Sequence, residues 1–108
     1  MIQAVHVNSK EIRSGEVIEL NIQAEYPITI EVKCFVTKPP PPRYIPCPDA
    51  GTFTLNRQEA FLYSATERIF KEGKGHIEFE ITDADNDFKL IKINVEDFDI
   101  LEKNEMYH

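Results

Sequence analysis

The sequence predicts an all-β domain, an antiparallel β-sandwich of about seven strands. Three observations carry that expectation. The stretch from His76 to Val95 reads as a β-hairpin, with Ile77, Phe79 and Ile81 alternating with Glu78, Glu80 and Thr82, and Ile91, Ile93 and Val95 alternating with Lys92 and Asn94. A period of two is the pattern of a strand with one wet face. Two earlier runs alternate as cleanly: Ile18, Leu20, Ile22 and Ala24 share one face, and Ile28, Ile30, Val32, Cys34 and Val36 share another. Turn residues separate these runs at short intervals, at Ser14-Gly15, at Tyr26-Pro27, at Gly73 and Gly75, and from Asp83 to Asp87.

In chain order, the first residues predict an edge strand. Its inward face is either Ile2, Ala4 and His6 or Gln3, Val5 and Val7. The two long alternating runs follow. From Lys38 to Gly51 the chain holds six of its seven prolines. Proline has no N–H to give a ladder, so this stretch is expected to be loop or edge. Its four consecutive prolines favour a polyproline II segment. Thr52 to Leu55 is expected to form a short strand.

Residues 57–72 read two ways. As a strand near Ala60 to Thr66, Phe61, Tyr63 and Ala65 face one side. As a helix, Phe61, Leu62, Ala65 and Ile69 make an apolar stripe, with Asn56 as N-cap, Glu59 three residues on and Gly73 beyond the end. The strand completes the set that ends in the hairpin and is the preferred reading. The helix would make the fold α+β. The hairpin tip, Asp83-Ala84-Asp85-Asn86-Asp87, favours a turn because Asp and Asn side chains bond their own backbone. The sandwich domain is expected to span residues 1–97, with a C-terminal tail at 98–108.

Short antiparallel strands at this spacing indicate an immunoglobulin-like sandwich. The buried Trp and paired cysteines of antibody domains are missing from the pattern, so the class is broader than those domains. The residues Ser14 to Leu20, then Phe53-Thr54-Leu55 with Phe61 to Ser64, then the hairpin from Ile77 to Val95, resemble the TraQ-like proteins of conjugative transposons from Bacteroides-type bacteria. The resemblance runs over about three quarters of the chain as a pattern and over less of it as identities. It implies an immunoglobulin-fold, non-enzymatic component of a transfer apparatus outside the cytoplasm. The chain departs from it in its N-terminus and in its proline–cysteine loop.

Composition narrows the function classes. The chain has 108 residues and a formal net charge of −7. That charge argues against nucleic acid, whose affinity comes largely from Lys and Arg neutralising phosphates. It argues equally against anionic membrane surfaces. Acidity of this kind keeps a domain soluble, and its sharper meaning is a basic protein partner. No apolar run approaches the roughly 20 residues that span a bilayer. The N-terminus MIQAVHVNSK lacks a basic start followed by an apolar block, so the expectation is a cytoplasmic protein unless the chain is processed or trimmed.

Four residues and two small groups are the candidate sites. Pro41-Pro42-Arg43-Tyr44 fits the P-P-x-Y pattern that WW domains read on a preformed polyproline II ridge. The bland alternative is a stiff loop whose Tyr44 packs back on the sandwich. Asp83, Asp85 and Asp87 match the opening of a calcium loop, although Phe88 stands where that loop needs Gly and Asn94 where it needs Glu. The bland alternative is a solvated, metal-free tip, and no other cofactor is expected. Cys34 and Cys47 are the disulfide candidate, the alternative being a buried free thiol at Cys34.

Catalysis has little support. His6, His76 and His108 have no metal-ligand spacing, and there is no Gly-rich phosphate loop. Glu78 and Glu80 share a wet strand face, which is common on solvated sheets. The expected function is therefore non-enzymatic protein–protein interaction within a larger assembly such as a conjugative-transfer apparatus. The alternative is a small carbohydrate- or calcium-binding module using Tyr44, Tyr63 or Phe35.

Overall fold

Nine strands follow one another in a computed structural model that describes residues 1–13, 16–38, 40–47, 50–64 and 74–96. They are β1 (Ile2–Val7), β2 (Glu11–Arg13), β3 (Val17–Ala24), β4 (Ile28–Lys38), β5 (Arg43–Ile45), β6 (Thr52–Leu55), β7 (Gln58–Ser64), β8 (Lys74–Asp83) and β9 (Phe88–Glu96). There is no helix among the described residues. The expected tail at 98–108, the turn at Ser14-Gly15 and the second half of the ambiguous stretch lie outside the described residues.

The strands form two sheets. One has the order β1-β3-β7, and the other runs β2-β9-β8-β4-β5, with β6 also paired to β4. Strands β1, β3 and β7 are antiparallel, as are β4, β8 and β9, while β2 runs parallel to β9. The chain changes sheet on either side of β2, between β3 and β4, and on either side of β7. The result is an all-β sandwich of two mainly antiparallel sheets.

Alternation decides what is buried. Ile18, Leu20, Ile22 and Ala24 from β3 meet Ile28, Ile30, Val32, Cys34 and Val36 from β4 in one core. The hairpin adds Ile77, Phe79, Ile81, Ile93 and Val95. Phe79 closes the layer between the sheets: the rings of Phe61 and Tyr63 stand edge-on to it, with centroids 6.1 and 5.9 Å away. Such T-shaped contacts align the positive ring edge with the negative ring face.

The first strand resolves its two readings by using part of each. A bulge between Ile2 and Ala4 shifts the register against β3. Ile2 is therefore buried, and Val5 and Val7 also pack on the core. One extra residue reverses the phase of a pleat, so no single alternation fits the strand.

Nine strands stand where about seven were expected. The two additions, β2 and β5, are three residues long, too short for alternation to announce. The helix over 57–72 is corrected over 58–64. There β7 pairs with β3 from Val17↔Ser64 to Gln23↔Gln58 and buries Phe61 and Tyr63, while Leu62 of the helical stripe is 63% exposed. The capping-box contact is nonetheless present. Glu59 Oε2 accepts from the Asn56 N–H at 2.8 Å, closing the tight turn between β6 and β7. A local hydrogen bond that begins a helix serves a hairpin turn as well, and long-range pairing decides between them.

Candidate functional site

Three places concentrate exposed chemistry: the β5 edge of the larger sheet, the tip of the β8–β9 hairpin, and a cleft at the Met1 end.

The β5 edge is built from the proline-rich segment. Cys34 and Cys47 are joined by a disulfide with Cα atoms 5.6 Å apart. Beside the bridge, Cys34 pairs with Ile45, Phe35 with Tyr44 and Val36 with Arg43. The ladder places Phe35 and Tyr44 on the solvent side, with ring centroids 4.1 Å apart. Phe35 also stacks on His76 of β8 at 4.8 Å. Three rings from three neighbouring strands therefore form a row, and its outermost member, Tyr44, is 67% exposed.

Polar groups flank the row. His76 Nε2 and Glu78 Oε2 are 2.7 Å apart. Lys33 Nζ lies 2.7 Å from Glu80 Oε2. The hydrogen bond to Glu80 raises the Lys33 pKa above its ordinary value; burial opposes this, and the charges of Glu80, Glu31 and Tyr44 add to it.

The P-P-x-Y reading needs a free polyproline II ridge. The structure instead places Arg43 and Tyr44 in a hydrogen-bonded edge strand, with the tyrosine ring against Phe35. Pro41 and Pro42 lead into that strand, and the peptide between Pro40 and Pro41 is cis.

The hairpin tip turns the carboxylates of Asp83 and Asp87 inward and leaves that of Asp85 exposed. Asp83 Oδ1 accepts from the N–H groups of Asp85 and Asp87, both at 2.9 Å. Asp83 Oδ2 lies 2.7 Å from the Met1 α-amino group. Asp87 Oδ2 accepts from the Ile2 N–H at 2.8 Å, and its Oδ1 from the Phe88 N–H at 3.1 Å. Asn86 takes the left-handed conformation, φ 62°, that Asn tolerates in such turns.

The calcium reading is corrected on this geometry. Asp83, Asp85 and Asp87 do not converge on a cation, and no group of three acidic, His or Cys side chains suited to a metal occurs among the described residues. Backbone N–H groups and the terminal ammonium hold both oxygens of Asp83 and of Asp87, which leaves Asp85 alone facing solvent.

These contacts set the charge state of the corner. Hydrogen bonding to the terminal ammonium lowers the Asp83 pKa below the usual carboxylate value; burial opposes this, and the Asp87 and Asp85 N–H groups reinforce it. The hydrogen bond to Asp83 in turn raises the Met1 amine, against burial, and the charges of Asp83, Glu25 and Asp85 add to it.

The cleft lies at the same end and was not anticipated. It is an open hollow of about 650 Å³ between the start of β1, the β3–β4 turn and the β6–β7 turn. No sequence motif announces it, since its walls come from three separated turns.

Of the three aromatics considered for a ligand, Phe35 and Tyr44 stand together on the open face, whereas Tyr63 is 3% exposed and belongs to the core. Among the described residues, no helix is long and apolar enough to cross a membrane. No family model matches the chain, and no curated protein matches it.

Proposed function

We propose that this domain is a non-enzymatic, immunoglobulin-like module for protein–protein interaction, and that its partner docks on the β5 edge of the larger sheet. The observation that supports it is the row Tyr44–Phe35–His76, which ends in a largely exposed tyrosine on an edge strand. Tyrosine offers a large, rigid contact area at low entropic cost and is enriched at interface centres. An edge strand adds unpaired main-chain groups that an incoming strand can meet. The disulfide beside the row holds that surface in shape before the partner arrives, which lowers the cost of binding.

The resemblance to TraQ-like proteins supports the finer reading, an accessory component of a conjugative-transfer or other larger assembly. The bridge between Cys34 and Cys47 supports an oxidising compartment for that assembly.

The test is capture from the native source with the intact chain and with Tyr44→Ala, followed by titration of the purified partner. The reading expects one specific protein whose affinity falls at least about tenfold with Tyr44→Ala. A partner that binds both forms equally places the interface elsewhere and refutes the β5 edge.

A further inference from the structure

We propose that the cleft at the Met1 end binds a neutral oligosaccharide. The proposal is independent of the β5 edge, which pairs with the opposite end of β4.

The cleft is framed by backbone. The Ala24 N–H donates to the Arg57 carbonyl at 2.7 Å, and the Glu25 N–H to the Met1 carbonyl at 3.0 Å. The Asn56 N–H is held by Glu59. Ile2 pairs with Ala24. The three wall segments are thus tied to one another and shaped before a ligand arrives.

Its walls carry unspent hydrogen-bonding groups. Gln3, Asn56, Arg57 and Gln58 line it, and among the described residues their side chains have no protein partner. Three amides offer both donors and acceptors, and the guanidinium offers donors alone. Tyr26, 44% exposed, adds an aromatic surface, and Ala24 a small apolar floor. A sugar matches this set: its hydroxyls both give and accept, and its C–H face lies against an aromatic ring.

Charge selects against ionic ligands. Arg57 disfavours a cation. Glu25 lines the same cleft, and Asp83, Asp85 and Asp87 outnumber the single Met1 ammonium at the adjacent corner, which disfavours phosphate or sulfate. A neutral ligand meets neither penalty.

The length of the site follows from its neighbour. A second hollow of about 440 Å³ shares Gln58 and continues along the outer face of the three-stranded sheet. It adds the amides of Asn21 and Gln23 beside the small Ala4 and Ala60, with His6 and Glu59 also on its walls. Together the two hollows make an amide-lined track longer than one sugar ring.

The experiment titrates the intact chain with cellotriose, maltotriose, chitotriose and mannotriose, with their monosaccharides, and with a sulfated disaccharide, read by amide shifts and calorimetry. The proposal expects saturable millimolar or tighter binding of at least one neutral trisaccharide, better than its monosaccharide. The shifts should centre on Gln3, Tyr26 and Asn56 to Gln58 and extend to Asn21 and Gln23. Tyr26→Ala and Gln58→Ala should each weaken binding about tenfold, while Tyr44→Ala leaves it unchanged.

No neutral trisaccharide bound at millimolar concentration overturns the proposal. So does a preference for the sulfated sugar, or shifts centred on Phe35 and Tyr44. A Tyr26→Ala chain with an undisturbed spectrum and unchanged binding does the same.

Discussion

The α-amino group of Met1 lies 2.7 Å from Oδ2 of Asp83, a carboxylate whose side chain is fully buried. The first residue of β1's lead-in is thereby fastened to the last residue of β8, across the two sheets. The Ile2 N–H bond to Asp87 repeats the link one residue on.

Stability should depend on pH through this pair, with a sign for each partner. Asp83 is held below its ordinary value near 3.8, so its contribution is present above that value and fades as pH falls through the lowered folded-state value. The Met1 amine is held above its ordinary value near 8.0, so its contribution is present below that value and fades as pH rises through the raised one. Thermal unfolding should therefore show a plateau between these ranges. Asp83→Asn should lower the plateau and flatten its acid limb, and N-terminal acetylation should flatten the alkaline limb. Melting curves across pH for the three forms check this, and superimposable profiles contradict it.

Opening the disulfide should loosen the β5 edge first. The bridge spans a sequence separation of 13, and closing a loop of that size removes about 3 kcal/mol of chain entropy from the unfolded state. A Cys34→Ala, Cys47→Ala double variant should lose roughly that amount in urea unfolding, with little change in slope. Hydrogen exchange should quicken at Arg43 to Ile45 before it does in β8. Equal protection of β5 in both forms would show that the ladder to β4 holds alone.

Phe79 is the buried ring that both Phe61 and Tyr63 meet edge-on. Phe79→Ala removes it from between the sheets and leaves a cavity, a change that costs about 3–5 kcal/mol. Chemical unfolding measures the loss. A cost below about 1 kcal/mol would mean that the sheets collapse onto the gap.

The ring row has a spectroscopic signature. His76 stacks on Phe35 with planes 20° apart, which places its ring protons in the shielding region of the benzene face. Phe35→Leu should move the His76 ring resonances downfield and leave those of His6 in place. Tyr44→Ala should cost at most about 1.5 kcal/mol, the range of an aromatic pair, because Tyr44 is largely exposed. Unmoved His76 resonances would show that the stack is not populated.

The inward faces were legible in the sequence because alternation is a local property. Ile18 to Ala24, Ile28 to Val36 and Ile77 to Ile81 lie in the core as their spacing requires. The turn chemistry of Asp83 to Asp87 was legible for the same reason: the bonds that shape it join residues two and four positions apart. Residues 58–64 were ambiguous because Asn56 and Glu59 make the same short contact in a helix start and in a strand turn. Their pairing with β3, some forty residues earlier, settles it.

The sequence by itself thus determined the side of each long alternating strand that faces inward, and left only residues 57–72 open between strand and helix. Tertiary structure alone decided the bulge between Ile2 and Ala4, the parallel docking of β2 on β9, and the edge strand drawn from the proline-rich segment. It also decided that Asp83 and Asp87 hold Met1 and Ile2 rather than a cation, and that Gln3, Tyr26 and Arg57 line one cleft. The physical reason is sequence distance. These features join groups brought together only when the two sheets close on one core, and Ile2 and Asp87 are 85 residues apart.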